Sequence, residues 1–407
     1  MAWLEIDLDA LGVNLSAIRA EVGSAVRVEP VVKADAYGHG LIPVARFLES
    51  AGADGLSVAT LDEAVSLRNA GIRAPILVLY PIPPELASEA AEQGIAVTIG
   101  DPTLLHRLVA ALAARPKSVP DLRVQLELET GLGRGGFAPE EAIVAAREVE
   151  AAGGLMLDGA WSHLAAAINP ERSEEQRARF ERALSLLADE GVAIERRHLA
   201  ASGGLIAASA PAYDAVRPGL AIYGVVPDDL PGGTRGLLAA RLRPAMSLHA
   251  RAVRMVDLPA GWGISYGPSF STARPSRIAT LPLGYGDGWP RSLSNAASAL
   301  VRGRRVPLVG TVAMDAVMAD VTDVPGAPVT VDDEFTLLGL QGEDEIDAAE
   351  LARLRTTISW EVVTNMARRL PRVYHAAAGP VGLRTLAAAE DRWLGSNSGT
   401  ATSASLK

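Results

Sequence analysis

The chain has 407 residues, 49% hydrophobic and 21% charged, with a formal net charge of −10, enough apolar material for one large globular domain and a smaller companion. The acidic balance, without a Lys/Arg block, argues against a phosphate backbone as partner, so no nucleic acid is expected, and the absence of cysteine excludes disulfides, thiolate catalysis and cysteine metal sites. No metal is expected, no apolar run approaches the roughly 20 residues of a bilayer span, and the first seven residues lack a charged-then-apolar leader, so the reading is a cytoplasmic protein with no membrane partner.

In chain order, eight short apolar segments read as strands: 28–33, 56–59, 76–80, 96–99, 124–128, 157–163, 197–201 and 215–217. The stretches between them carry helix punctuation. Thr60 with Glu63 reads as a capping box, closed by Gly71; Asp101-Pro102 reads as an N-cap followed by proline at the first helical position; Ser173 with Gln176 repeats the capping-box spacing. Eight strands alternating with helices over about 230 residues mark an α/β fold of the (β/α)8 TIM-barrel type. The rival is a doubly wound open sheet. It needs a glycine-rich dinucleotide fingerprint after the first strand, and that position reads Lys33-Ala34-Asp35-Ala36-Tyr37-Gly38-His39-Gly40 instead.

The pattern changes after Pro231-Gly232-Gly233. Segments 250–256, 277–281, 299–309 and 335–338 are strand-like, with Gly/Pro turns between them and one helix expected over 360–369. The expected organisation is a cofactor-binding barrel over 1–237, a mostly β domain over 238–386 and a tail over 387–407, whose Gly/Ser/Thr/Ala-rich part is read as disordered.

Barrel enzymes place working groups at the C-terminal ends of their strands. Those ends here offer Lys33, Glu127 with Arg134 beyond it, His163, Ser202-Gly203-Gly204 and Arg217-Pro218-Gly219-Leu220. Hydroxyls and glycine N–H groups after strands seven and eight suit a phosphate. A lysine on the opposite wall suits a Schiff base, and an arginine aimed at a pyridine nitrogen would leave that nitrogen unprotonated. Taken singly, each has an ordinary reading: a solvated lysine, a structural ion pair, a satisfied core histidine, a turn with a cap. The case rests on their joint placement at one barrel mouth.

The segment Val31-Val32-Lys33-Ala34-Asp35-Ala36-Tyr37-Gly38-His39-Gly40 closely resembles the cofactor-lysine motif of alanine racemases. Glu129-Thr130-Gly131-Leu132-Gly133-Arg134, Arg217 to Gly224, Ser265-Tyr266-Gly267, Pro282 to Gly288 and Met314-Asp315 resemble further segments of that family, in order, over about residues 3 to 386. The resemblance implies pyridoxal 5'-phosphate as cofactor, a small amino acid as substrate, and a homodimer with shared active sites that interconverts L- and D-alanine. Lys33 would hold the cofactor and serve one face of the α-carbon, and Tyr266 from the partner the other. A tyrosine ordinarily titrates near about pH 10 and needs help to act as a base. In the family that help runs through His163, linking Tyr266 to Arg217, with His198 behind. Arg217 would contact the pyridine nitrogen; Arg134 the phenolic oxygen and the substrate carboxylate; the Met314 N–H that carboxylate too. Tyr37, Ser202, Gly219 and Leu220 would hold the phosphate. Tyr285 would narrow the mouth.

Five positions depart from the family pattern. Glu127 stands where many members carry a carbamylated lysine, which implies activity independent of bicarbonate. Trp360 stands where many carry a phosphate-touching tyrosine. Ala201 replaces an asparagine. Ile168 and Thr311 replace an Asp and an Arg of the access channel, which leaves a racemase of broader range as an alternative. A related decarboxylase is disfavoured by the missing cysteine, and a non-catalytic cofactor carrier by the β domain.

Overall fold

The computed structural model describes residues 1–228, 237–377, 379–387 and, as backbone only, 392–393. The Pro231-Gly232-Gly233 segment, after which the pattern was read to change, and the stretch after Trp393 lie outside these residues. Within the span read as a tail, Arg392–Trp393 forms a short strand against Gly382 and Leu383.

The first strand, β1 (Ala2–Asp7), is followed by the helix Leu8–Val22, capped by the Asp7 side chain, which accepts from Ala10 N–H at 2.9 Å. Eight parallel strands come next: β2 (Arg27–Val28), β3 (Leu56–Val58), β4 (Ile76–Val78), β5 (Ile95–Ile99), β6 (Leu122–Glu127), β7 (Leu155–Trp161), β8 (Arg197–His198) and β9 (Ala215–Val216). β3 to β8 form one sheet in chain order and β2 pairs with β9. Two bridges close the circle: Val31 with Ser57, and Ala201 with Arg217. The strands are short because the barrel is covered on its outer face by helices. β3, β4 and β5 are buried along their whole length, the near-continuous apolar pattern of a parallel sheet.

Helix starts follow their capping chemistry. Thr60 Oγ1 accepts from Glu63 N–H while the Glu63 carboxylate accepts from Thr60 N–H. Asp101 caps the helix Pro102–Ala113. The long helix Pro170–Asp189 begins earlier than the Ser173 signal suggested. Asn169 caps it and Pro170 takes the first helical position, a stronger combination than an interior Ser/Gln pair. The helix expected over 360–369 is shorter, Ser359–Thr364. Beyond it Ala367 N–H turns away to the Asp287 carbonyl.

The second domain is built on one large sheet, and β1 belongs to it. β1 lies between Met246–Arg251, antiparallel, and Arg372–Ala376, parallel, with Leu4 and Ile6 fully buried. Assigning all of 1–237 to the barrel therefore misplaces its first strand. The alternating pattern of β1 is that of a strand with one covered face, whereas β3, β4 and β5 are covered on both.

The two domains meet around residues 33–40. Ala34, Asp35, Ala36 and Tyr37 all adopt positive φ, between 52 and 57°, a left-handed turn that costs about 1–2 kcal/mol per residue for L side chains. Contacts from both domains hold it. Glu63 accepts from Ala34 N–H at 2.6 Å. Asp35 pairs with Arg384 at 2.8 Å and accepts from Leu41 N–H. Arg372, almost wholly buried, donates to the carbonyls of Gly38, Met366, Ala367 and Leu370. At Gly38, φ is +81° and a Cβ would lie 2.3 Å from the Val363 carbonyl oxygen; at Gly23, φ is +86° and a Cβ would meet nothing within 4 Å. Gly23→Ala is expected to lower stability by about 1 kcal/mol, the conformational penalty alone. Gly38→Ala should exceed it by about 2 kcal/mol or more through backbone displacement. Equal denaturation midpoints for the two variants would contradict this packing.

Candidate active site

A cavity of about 420 Å³ opens at the C-terminal end of the barrel strands. Among its lining residues are Lys33, Tyr37, Arg134, His163, Ser202, Arg217, Gly219, Leu220 and Trp360, so every cofactor residue anticipated from sequence faces one space. Tyr266, Tyr285 and Met314 do not line it. They sit on the second domain, 74%, 42% and 52% exposed. Their loops form one cluster: Ser265 Oγ donates to the Thr311 carbonyl at 2.6 Å, and Tyr285 N–H to the Ala313 carbonyl at 3.0 Å. Arg369 adds ion pairs to Asp287 and Asp315, both at 2.6 Å.

Lys33 starts the left-handed turn, which aims its side chain into the cavity. Burial holds its ammonium below the usual lysine range; Arg134 and Arg217 push the same way and Glu63 opposes them. Arg134 emerges from a glycine-rich loop and is fixed by Glu127 at 3.1 Å and by the Tyr80 ring, whose centroid is 5.6 Å away. Burial raises the Glu127 carboxyl even though Arg134 pulls it down.

Arg217 is 2% exposed and sits 4.7 Å above the Trp161 ring. It donates to the Ser162 carbonyl at 2.8 Å, the His198 carbonyl at 3.2 Å and His198 Nδ1. Burial lowers it to about 10, which leaves it charged at neutral pH. Of the two histidines expected beside Arg217, His163 before it and His198 behind it, His198 is hydrogen-bonded to the guanidinium and His163 lines the cavity. Burial drives His163 down to about 3, with Arg217, Arg134 and Lys33 adding repulsion, so its ring is neutral. His198 is likewise pushed well below the usual histidine value, first by burial.

On the wall opposite Lys33, Ser202 begins a short helix whose first N–H groups have no intrahelical partner. Ser202 Oγ accepts from Gly219 N–H at 2.9 Å and Ala221 N–H at 3.0 Å, which leaves its own proton to donate. Burial raises the Tyr37 hydroxyl to about 12, so it too remains a donor. A Cβ on Gly219 would lie 2.5 Å from Tyr37 Oη, and one on Gly203 would lie 2.9 Å from Ala167 Cβ. Only glycine leaves this cradle open. An amine on one wall, hydroxyl and N–H donors on the other, and a buried arginine between them fit an aldehyde-bearing ring with a phosphate.

Several groups with a part in this geometry were not singled out from sequence. Glu63 was read only as a cap, yet it also anchors the amide beside Lys33. Arg372 and Arg384 come from strands more than 330 residues away; only their placement in apolar strands hinted at buried partners. The opposing charges around Lys33 predict opposite effects. Arg134→Leu should raise the pH at which the Lys33 amine becomes reactive, and Glu63→Gln should lower it. Mass-spectrometric labelling of Lys33 by acetic anhydride across pH measures both; shifts of the same sign would refute the electrostatic account.

A family model described as the alanine racemase N-terminal domain matches residues 6–227, and one described as the C-terminal domain matches 245–374. The chain is 42% identical to the alanine racemase of Symbiobacterium thermophilum over 375 residues, 91% of this chain and 96% of that protein. It is 41% identical to that of Thermobifida fusca, covering 92% and 98%. Among solved structures, alanine racemase from Bacillus anthracis with bound L-Ala-P superposes with a TM-score of 0.87 at 34% identity, covering 94% of this chain and 97% of that one. Alanine racemase from a D-cycloserine-producing Streptomyces lavendulae gives 0.83 at 36% identity, covering 92% and 97%. With both domains matched in order along nearly the whole chain, this protein belongs to the alanine racemase family and interconverts L- and D-alanine with pyridoxal 5'-phosphate as cofactor.

Proposed function

We propose that racemization runs between two side chains on opposite faces of the α-carbon, Lys33 of one subunit and Tyr266 of the partner subunit, in a cytoplasmic homodimer with shared active sites. The observation that carries this reading is the division of the site. The barrel mouth holds the amine, the arginines and the phosphate cradle, whereas the exposed Tyr266, Tyr285 and Met314 cluster on a surface that does not reach the cavity of its own chain. A two-fold dimer would set each such surface over the other subunit's barrel mouth. Among the described residues no helix is long and apolar enough to cross a membrane.

Pyridoxal phosphate, when bound, withdraws electrons from the substrate and acidifies its α-C–H bond. The remaining work falls to the chain. Lys33 is held partly desolvated among cations, so Nζ exchanges a proton more readily than an exposed lysine would. Arg217 stays charged and would face the ring nitrogen of the bound cofactor, where a guanidinium that does not give up its proton would keep that nitrogen unprotonated. Arg134, held by Glu127 and Tyr80, receives the substrate carboxylate on one side, and the N–H of Met314 of the partner subunit receives it on the other. Tyr37, Ser202, Gly219 and Leu220 bind the phosphate, with Trp360 closing that wall. Neutral His163 lines the same cavity as Lys33, Arg134 and Arg217, where it can pass a hydrogen bond to Tyr266 of the partner subunit. Tyr285 of the partner subunit narrows the mouth toward a methyl side chain.

Mixing two inactive variants tests the shared site. In a Lys33→Ala/Tyr266→Phe hybrid dimer, one site regains both groups and the other has neither. Random exchange should restore about one quarter of wild-type racemization; no recovery in verified hybrids would place Tyr266 in its own subunit's site. Glu127 gives Arg134 a permanent carboxylate, so rates measured with and without added bicarbonate should agree.

A further inference from the structure

A buried chain of polar groups runs from Arg217 through His198 away from the cavity into the barrel, and beyond His198 none of the roles above uses it. It begins at an irregularity. Val124 of β6 pairs with Leu157 of β7, but Gln125 pairs with Gly159, so Asp158 is an extra, bulged residue. Here the Asp158 carboxylate accepts from Gln125 Nε2 at 2.9 Å. Gln125 Oε1 lies 2.7 Å from His198 Nε2, and His198 Nδ1 meets Arg217. Gln125 and His198 are both fully buried. Gly159 permits the close strand approach, since a Cβ there would lie 2.5 Å from the Arg196 carbonyl oxygen.

The ends of this chain dictate its direction. Arg217 can only donate, and a carboxylate can only accept. The imidazole and the amide between them must each accept on one side and donate on the other. Only one arrangement satisfies every group: Arg217 donates to Nδ1, Nε2–H donates to Oε1, and the Gln125 amide donates to Asp158. Arg196 at 3.1 Å and Arg123 at 3.4 Å balance the Asp158 charge. Arg196 also reaches Glu29 at 3.8 Å, itself paired with Arg27. On the cavity side, Glu127 and Arg134 are the nearest other charges acting on Arg217 besides Glu29.

We propose that Gln125 and Asp158 are positioning residues for racemization, a buried relay that holds His198 as a fixed acceptor for Arg217 and so fixes the guanidinium at the cofactor ring. This rests on the placement of Arg217 against the ring nitrogen. The relay polarises toward Asp158, which strengthens the His198 acceptor without charging it.

Holoenzyme labelled with 15N-histidine tests it directly. In the wild type, His198 should show a bare Nδ1 and a protonated Nε2. Gln125→Leu removes the acceptor for that proton; the Nε2 signal should move and kcat should fall about ten-fold, with KM for alanine within about two-fold. The loss relative to wild type should be the same at every pH. Gln125→Glu behaves differently. Its neutral acid form donates to Asp158 and accepts from His198 as glutamine does. Its ionised form draws a proton onto His198 and turns Nδ1 into a second donor facing Arg217. Activity of Gln125→Glu relative to wild type should therefore fall as pH rises. Asp158→Asn, which keeps an acceptor but not the charge, should shift the His198 signals less than Gln125→Leu does. A parallel, pH-independent loss in both Gln125 variants would overturn the proposal, as would a wild-type His198 protonated on Nδ1. The imidazole spectra report the relay wherever Arg217 points, and the cofactor absorbance maximum reports the Arg217 contact, so the two readings fail separately.

Discussion

The left-handed turn at Ala34–Tyr37 is the constraint on which the rest of the site depends. Four successive L residues at positive φ are each disfavoured by about 1–2 kcal/mol, so the turn persists only because its surroundings over-determine it. Glu63 binds it from the barrel, Arg384 through Asp35 from the second domain, and Arg372 holds the carbonyl that follows it. Without the turn, Lys33 would continue along its strand and point elsewhere. The second domain is thus part of the lysine's support, which explains why β1, the first segment of the chain, is committed to that domain's sheet before the barrel begins.

The second constraint is charge. Lys33, Arg134 and Arg217 share a small, partly dry space, opposed by Glu63 at Lys33 and by Glu29 and Glu127 at Arg217. Burial first, with the repulsion of this cluster added, holds Lys33 below the ordinary lysine range and keeps both His163 and His198 neutral. The same positive field suits a phosphate and a carboxylate, the two anions that a pyridoxal phosphate enzyme acting on an amino acid must bind. Stability and function are therefore opposed here: the site is costly when empty of anions and favourable when they arrive.

The barrel was legible because parallel strands buried on both faces leave unmistakable apolar runs and because helix caps such as Thr60–Glu63 and Asp101–Pro102 are local chemistry. The cavity residues were legible through the chain order of strand ends and the motif around Lys33. Three things were not. β1 alternates like any half-covered strand, and nothing local says which sheet it joins. Asn169 outcompeted Ser173 as a cap because proline followed it, a choice between two valid signals. The groups behind His198 were not legible either: the resemblance implied His198 behind Arg217, but nothing local ties Gln125 and Asp158, from two other strands, to that imidazole.

The two histidines show how the barrel divides its labour. His163 ends its strand facing the cavity and can meet a substrate or a second subunit. His198 ends the next strand facing Arg217, with Gln125 behind it, so its hydrogen bonds are all internal. Neighbouring strands in a closed barrel turn alternate side chains toward the mouth and toward the interior layers, and the bulge at Asp158 shifts that alternation by one residue on the strand lying between β6 and β8. Asp158, the extra residue of that bulge, stays beside Gln125, the residue it would face in an unshifted register. Arg217 is thus held from behind by His198, with Gln125 and Asp158 in line, and from its flanks by the Ser162 carbonyl and the Trp161 ring.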